Sequence, residues 1–218
     1  MDKPPPCKIQ FLSILFWAFV FASCAEDSIA IATADAKIVF DFEDEKNPAQ
    51  RLSVFVNPSS NVRRIESIDV KFSDENELYF WKIENPILFQ SQENSWAGYM
   101  HLSLPSNLEK FPRGEYFFEC VDAAGNSAQG NFLIDYDEDL LGGFSSEKFS
   151  GEKWSERIAF YSEIGELLHF SKNEKNYGDE KFFHDIKDSH FLRHVYQARN
   201  VICLGPKIFK GGVDENGQ

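Results

Sequence analysis

The chain has 218 residues, with 22 Lys and Arg against 35 Asp and Glu, a formal charge of −13. That length accommodates one domain with a small companion and can bury a core without metal or disulfide support. The acidic balance argues against a nucleic-acid partner, since phosphate neutralisation needs a basic face. The 43% apolar and 26% charged composition argues against disorder. Twenty-two Phe, seven Tyr and four Trp against two Met favour β-structure, because aromatic side chains suit a pleated, half-buried surface.

Residues 1–23 read as a secretory signal peptide rather than as fold. Lys3 and Lys8 form a basic start, Ile9 to Ala22 is an almost wholly apolar run, and small residues end it. The run is shorter than the roughly 20 apolar residues a spanning helix needs. Ordinary cleavage after Ala25, with Ser23 and Ala25 as the small pair, would release a soluble protein. Phe21-Ala22-Ser23-Cys24 resembles the lipobox of bacterial lipoproteins, with Phe21 where that family usually carries Leu. The resemblance implies that Cys24 becomes the first mature residue and carries acyl chains, palmitate among them. Three chains exceed the two signals that stable anchoring requires. It further implies a membrane-anchored place in the cell envelope, at the outer membrane, since Ala25 is not the aspartate that retains some lipoproteins at the inner one. Removing Asp2, Lys3 and Lys8 with the signal leaves the mature chain at −14. Residues 24–36, small and polar, read as a tether.

From Lys37 the period is two. Strands are predicted at 38–42, 52–56, 65–72, 78–83, 96–104, 116–121 and 132–136, each bounded by Pro, Gly, Asn, Asp or Ser. Seven short strands in about 100 residues without a helical period fit an all-β immunoglobulin-like sandwich over residues 37–139. Gly125-Asn126 between two apolar runs is a hairpin signal on physical grounds alone. Gly114-Glu115-Tyr116 followed by Asp122-Ala123-Ala124-Gly125-Asn126 resembles the G-x-Y … D-x-A-G-N stretch of bacterial Ig-like and fibronectin type III-like domains. The resemblance implies that Tyr116 is a tyrosine corner. It says nothing about activity.

Residues 140–218 are expected to form a small α+β appendage. A Gly/Ser-rich connection, 140–151, leads to a hairpin at 157–170 turning at Gly165, in preference to a helix, which a central glycine would cost about 1 kcal/mol. A short helix is predicted at 179–188 and a strand at 201–204.

Four groups of residues are candidates for chemistry. Cys120 and Cys203 could bridge in an oxidising compartment, closing a loop of about 80 residues and contributing on the order of 4 kcal/mol; two buried free thiols are the alternative. His184, His190 and His194 lie close in sequence, and His190 and His194 would share a face if helical. They lack the glutamate of a metalloprotease helix, so ordinary packing is the preferred reading. The carboxylate runs 41–45 and 135–139 read as a solvated acidic rim rather than a Ca²⁺ loop, having no EF-hand spacing. Trp81, Trp96 and Trp154 are expected in the core, with an exposed carbohydrate platform as the alternative. No G-x-S-x-G, P-loop or G-x-G-x-x-G occurs. The sequence therefore reads as a non-enzymatic envelope lipoprotein without cofactor or metal, its Ig-like domain serving a structural or protein-binding role. A carbohydrate- or host-binding adhesin module and a small metal-dependent hydrolase built on His190 and His194 are the alternatives.

Overall fold

The computed structural model describes residues 29–43, 46–59, 61–74, 77–91, 93–172, 183, 186 and 188–211. Among the described residues there are thirteen strands: β1 (Ile31–Asp41), β2 (Ala49–Pro58), β3 (Ile65–Ser73), β4 (Leu78–Glu84), β5 (Ile87–Ser91), β6 (Asn94–Ser103), β7 (Gly114–Asp122), β8 (Ser127–Ile134), β9 (Ser155–Tyr161), β10 (Leu167–Lys172), β11 (Phe191–Ala198), β12 (Val201–Leu204) and β13 (Ile208–Phe209). They form two sheets. One runs β4-β3-β7-β8; the other runs β10-β9-β11-β12-β1-β2-β6-β5, with β13 on β11.

Period-two alternation explains which faces meet. In β4, Tyr79, Trp81 and Ile83 are buried while Leu78, Phe80, Lys82 and Glu84 point outward. Ile38 and Phe40 of β1, Leu52 and Val54 of β2, Ile68 and Val70 of β3, and Tyr116 and Phe118 of β7 join them in one apolar core. Fully burying such a side chain contributes roughly 1.5–3 kcal/mol. Trp81 stacks on Phe111 with centroids 5.7 Å apart, and its indole N–H donates to the Ser103 carbonyl at 3.0 Å, tying β4 to β6 across the sheets.

The strand expectations for residues 37–136 hold with shifted ends, and two features are additional. β1 starts at Ile31, so the second half of the expected tether is paired with β2, from Ile31 opposite Pro58 to Ala36 opposite Val54. β5 has no alternation in the sequence because all five of its residues are exposed. The hairpin between β7 and β8 turns at Gly125, whose φ is +83°.

The expected α+β appendage is not formed. The C-terminal strands extend the larger sheet: β12 lies parallel to β1, with Phe40 opposite Cys203, and β11, β9 and β10 follow antiparallel. The β9–β10 hairpin turns at Gly165, φ +82°, as expected. The connection packs on this extension beside the four-stranded sheet. Phe149 stacks on Tyr196 with centroids 4.3 Å apart, and Phe144 packs on Phe42 at 5.5 Å. Farther out, Phe183 packs with Ile158, Phe160 and Leu192 as a second, smaller core. The expected helix at 179–188 falls largely outside the described residues.

Candidate functional site

Cys24, the lipidation candidate, lies outside the described residues, as does His184. Cys120 on β7 and Cys203 on β12 are free thiols, fully buried in the main core. The bridge is not formed. Burial pushes both thiols up to about 12, with the Glu119 carboxylate adding to the effect at Cys120. They behave as small apolar side chains rather than nucleophiles.

The helical pairing of His190 and His194 does not occur, because His194 lies on a strand. His194 faces inward with Leu192 and Tyr196, bonds Glu156 through Nδ1 at 2.6 Å and stacks on Tyr196. His190, just before β11, lines the opposite surface and meets the edge of Phe209. Among the described residues no group of three His, Cys, Asp or Glu could hold a metal ion. Asp44 and Glu45 of the carboxylate runs lie outside the described residues; of the rest, Asp41 pairs with Arg51 and Arg193, Glu43 with Lys207 at 2.5 Å, Asp137 with Lys153 at 2.7 Å, and Glu138 with Lys110 at 2.9 Å. Trp81 belongs to the core. Trp154 is half-buried against Phe149, and Trp96 is half-buried against Phe89.

The outer face of the four-stranded sheet carries apolar side chains where alternation calls for polar ones. Leu78, Phe80, Phe117 and Leu133 are 67%, 50%, 52% and 62% exposed. Register brings them together: Phe80 lies opposite Lys71, Lys71 opposite Phe117, and Phe117 opposite Asn131, in one row across β4, β3, β7 and β8. Leu78, opposite Ser73, and Leu133, opposite Glu115, flank that row. The Lys71 ammonium lies 5.9 Å from the Phe80 ring centre, a cation–π contact.

Polar residues lie among and beside these side chains. Asn131 donates to Glu115 at 2.5 Å and Gln129 to Glu119 at 3.2 Å, while Lys82 pairs with Glu84 at 3.3 Å. Hydrogen bonds from Gln129 and Ser127 hold the Glu119 carboxyl below its ordinary range. The predicted strands contain Phe80, Phe117 and Leu133 but do not say which face each occupies. A signal for the face is present all the same: strands such as Leu78-Tyr79-Phe80-Trp81 are apolar at consecutive positions, which leaves one face unburied unless something covers it.

This arrangement defines an all-β, two-sheet protein with an apolar outer face on its smaller sheet. No family model, curated protein or solved structure matches the chain. No helix among the described residues is long and apolar enough to cross a membrane.

Proposed function

We propose that this chain is an exported, lipid-anchored envelope protein whose immunoglobulin-like sandwich binds another protein through the outer face of the four-stranded sheet. The observation that carries the reading is the exposed row centred on Phe80 and Phe117, with Leu78 and Leu133 beside it. Large apolar side chains gathered on one exposed sheet face, interleaved with polar ones, favour a protein–protein contact, and aromatic side chains supply much of the energy in such contacts. Support for the Ig-like assignment comes from chain order. β1-β2-β6-β5 facing β4-β3-β7-β8 follows the A-B-E-D and C′-C-F-G order of such sandwiches. The Tyr116 hydroxyl donates to the Pro112 carbonyl at 2.8 Å, the contact expected of a tyrosine corner. The anchor rests on Phe21-Ala22-Ser23-Cys24.

Two experiments separate the parts. Metabolic labelling with palmitate should mark the wild-type chain and not Cys24→Ala; label that survives the substitution sinks the anchor. In envelope cross-linking, Phe80→Ser with Phe117→Ser should lose its partner while melting as the wild type does, because both side chains are already half in water. A partner retained at full yield would remove this face from the proposal.

A second reading has one observation behind it. Phe89 and Trp96 lie nearly parallel, 11° apart, at the β5–β6 edge, with Phe89 43% exposed. Such a pair suits stacking on a sugar ring, the adhesin alternative. Glycan-array binding that Trp96→Ala abolishes would favour it.

A further inference from the structure

The outer face of the larger sheet is concave. Residues of β9, β11, β12, β1, β2 and β6, six neighbouring strands, line a single open groove of about 820 Å³, so the sheet curls until β6 and the β9–β10 turn face the same space. The groove's floor is built from charge. Arg193 of β11, whose side chain is 8% exposed, ion-pairs one oxygen of Asp41 and donates from Nε to the Gly205 carbonyl at 2.7 Å. Arg51 of β2 ion-pairs the other oxygen of Asp41. Its Nη1 lies 3.1 Å from Nδ1 of His101.

Two guanidinium groups therefore share one carboxylate. Asp41 is 12% exposed and Arg51 29%, so this floor carries one positive charge more than negative, and the surplus lies on the guanidinium that is open to the groove. Burial, and then the charge of Arg51, lowers the pKa of His101, so the ring does not alter the count at neutral pH. Among the described residues the other Lys, Arg, Asp and Glu side chains lining the groove are Lys207, paired with Glu43, and Glu163 at the hairpin turn on its rim, so the surplus positive charge is confined to the floor. Tyr161, raised by burial, stays protonated. Above this floor the lips are apolar, with Met100 44% and Ile164 81% exposed, and Phe191 and Phe209 pack against each other on one wall.

We propose that this groove binds a small amphiphilic anion, its acidic headgroup on Arg51, the more exposed of the two guanidinium groups, and its apolar body between Met100, Ile164 and the Phe191–Phe209 wall. A bound anion meets the one positive charge that Asp41 leaves unmatched on the floor, and Asp41, itself held by Arg193, keeps the Arg51 fork in place to receive it. The surface differs from the one assigned above to a protein partner, and each stands without the other.

Two dyes with closely similar apolar bodies test the idea by fluorescence titration of the full chain: anilinonaphthalene sulfonate, an anion, and N-phenyl-1-naphthylamine, which is neutral. The anion should bind at least about tenfold more tightly, as a charge-assisted contact implies. Arg51→Gln should abolish that preference and Arg51→Lys should keep part of it. Met100→Ser with Ile164→Ser, at exposed positions that do not threaten folding, should weaken both dyes alike. Laurate should displace the bound anion and acetate should not, which distinguishes an acyl body from a bare carboxylate. Equal binding of the two dyes, an unchanged preference in Arg51→Gln, or lip variants that bind as well as wild type would overturn the proposal. So would loss of binding in Phe80→Ser with Phe117→Ser, which would place the dye on the other sheet. Displacement by acetate as readily as by laurate would also overturn it.

Discussion

Asp122 shows how one side chain can fix a turn. Its Oδ1 accepts from the backbone N–H groups of Ala124 and Asn126, both at 2.9 Å, and its Oδ2 accepts from Arg64 at 2.7 Å. Burial pushes its carboxyl up, but these hydrogen bonds and the guanidinium outweigh it and hold the pKa below the ordinary 3.8. A depressed folded-state value stabilises the fold in full above pH 3.8 and loses that contribution as pH falls through the lower, folded value. Urea unfolding from pH 6 to pH 2.5 should therefore show stability falling at the acid end. Asp122→Asn should be less stable at pH 6 and should lose less on acidification. The thiols offer a second test at this scale. Iodoacetamide at pH 8 should leave Cys120 and Cys203 unmodified in the native protein and alkylate both in denaturant, read by mass spectrometry of their peptides. A Cys120–Cys203 cross-linked peptide before reduction would contradict the free, buried thiols of the structure.

At the scale of elements, glycine placement matters most where a strand passes under a ring. Gly98 of β6 lies opposite Phe55 of β2. A Cβ there would come within 2.1 Å of the Val54 carbonyl oxygen and 2.6 Å of the Phe55 ring. The ring lies close to the bare backbone, and Phe89 packs against it edge to face, 5.0 Å away. Gly98→Ala should lower stability by about 1–3 kcal/mol, as overpacking does; a melt indistinguishable from wild type would mean that β6 moves freely away from β2. Hairpins, by contrast, are legible in the residues themselves. Gly125 and Gly165 sit at positive φ in tight turns, conformations that glycine adopts at no steric cost, so local residue chemistry suffices to place both. β5 is not legible in this way. Ile87-Leu88-Phe89 has no alternation because it is an edge strand exposed at every residue, and alternation records burial on one face.

At the scale of the molecule, the two halves of the chain depend on each other. β1 is an interior strand, hydrogen-bonded to β2 on one side and β12 on the other. Phe42 is covered by Phe144 and Phe149, both from the connection. A chain ending at Asp139 would bare the edge of β1 and the side chain of Phe42, whose burial contributes roughly 1.5–3 kcal/mol. Exposed apolar strand edges pair with other chains. This shortened protein should aggregate on gel filtration where the full chain does not; a soluble, cooperatively melting product would show that the sandwich stands without its extension.

Sequence alone determined what is local. Period-two alternation marked the all-β class and most strands, Gly125 and Gly165 marked their turns, and the absence of EF-hand or metalloprotease spacing left the carboxylates and histidines without a metal assignment. Tertiary structure decided what joins residues distant in the chain. It put β12 parallel to β1, which turned an expected appendage into half of a sheet, and it set Cys120 and Cys203 in the core as separate thiols. It brought Asp41, Arg51 and Arg193, up to 152 residues apart, onto one floor. Turn chemistry and alternation depend on neighbours a few bonds away. Strand order and charge pairing depend on which edges and faces meet after the chain closes, and no local pattern in the sequence encodes that choice.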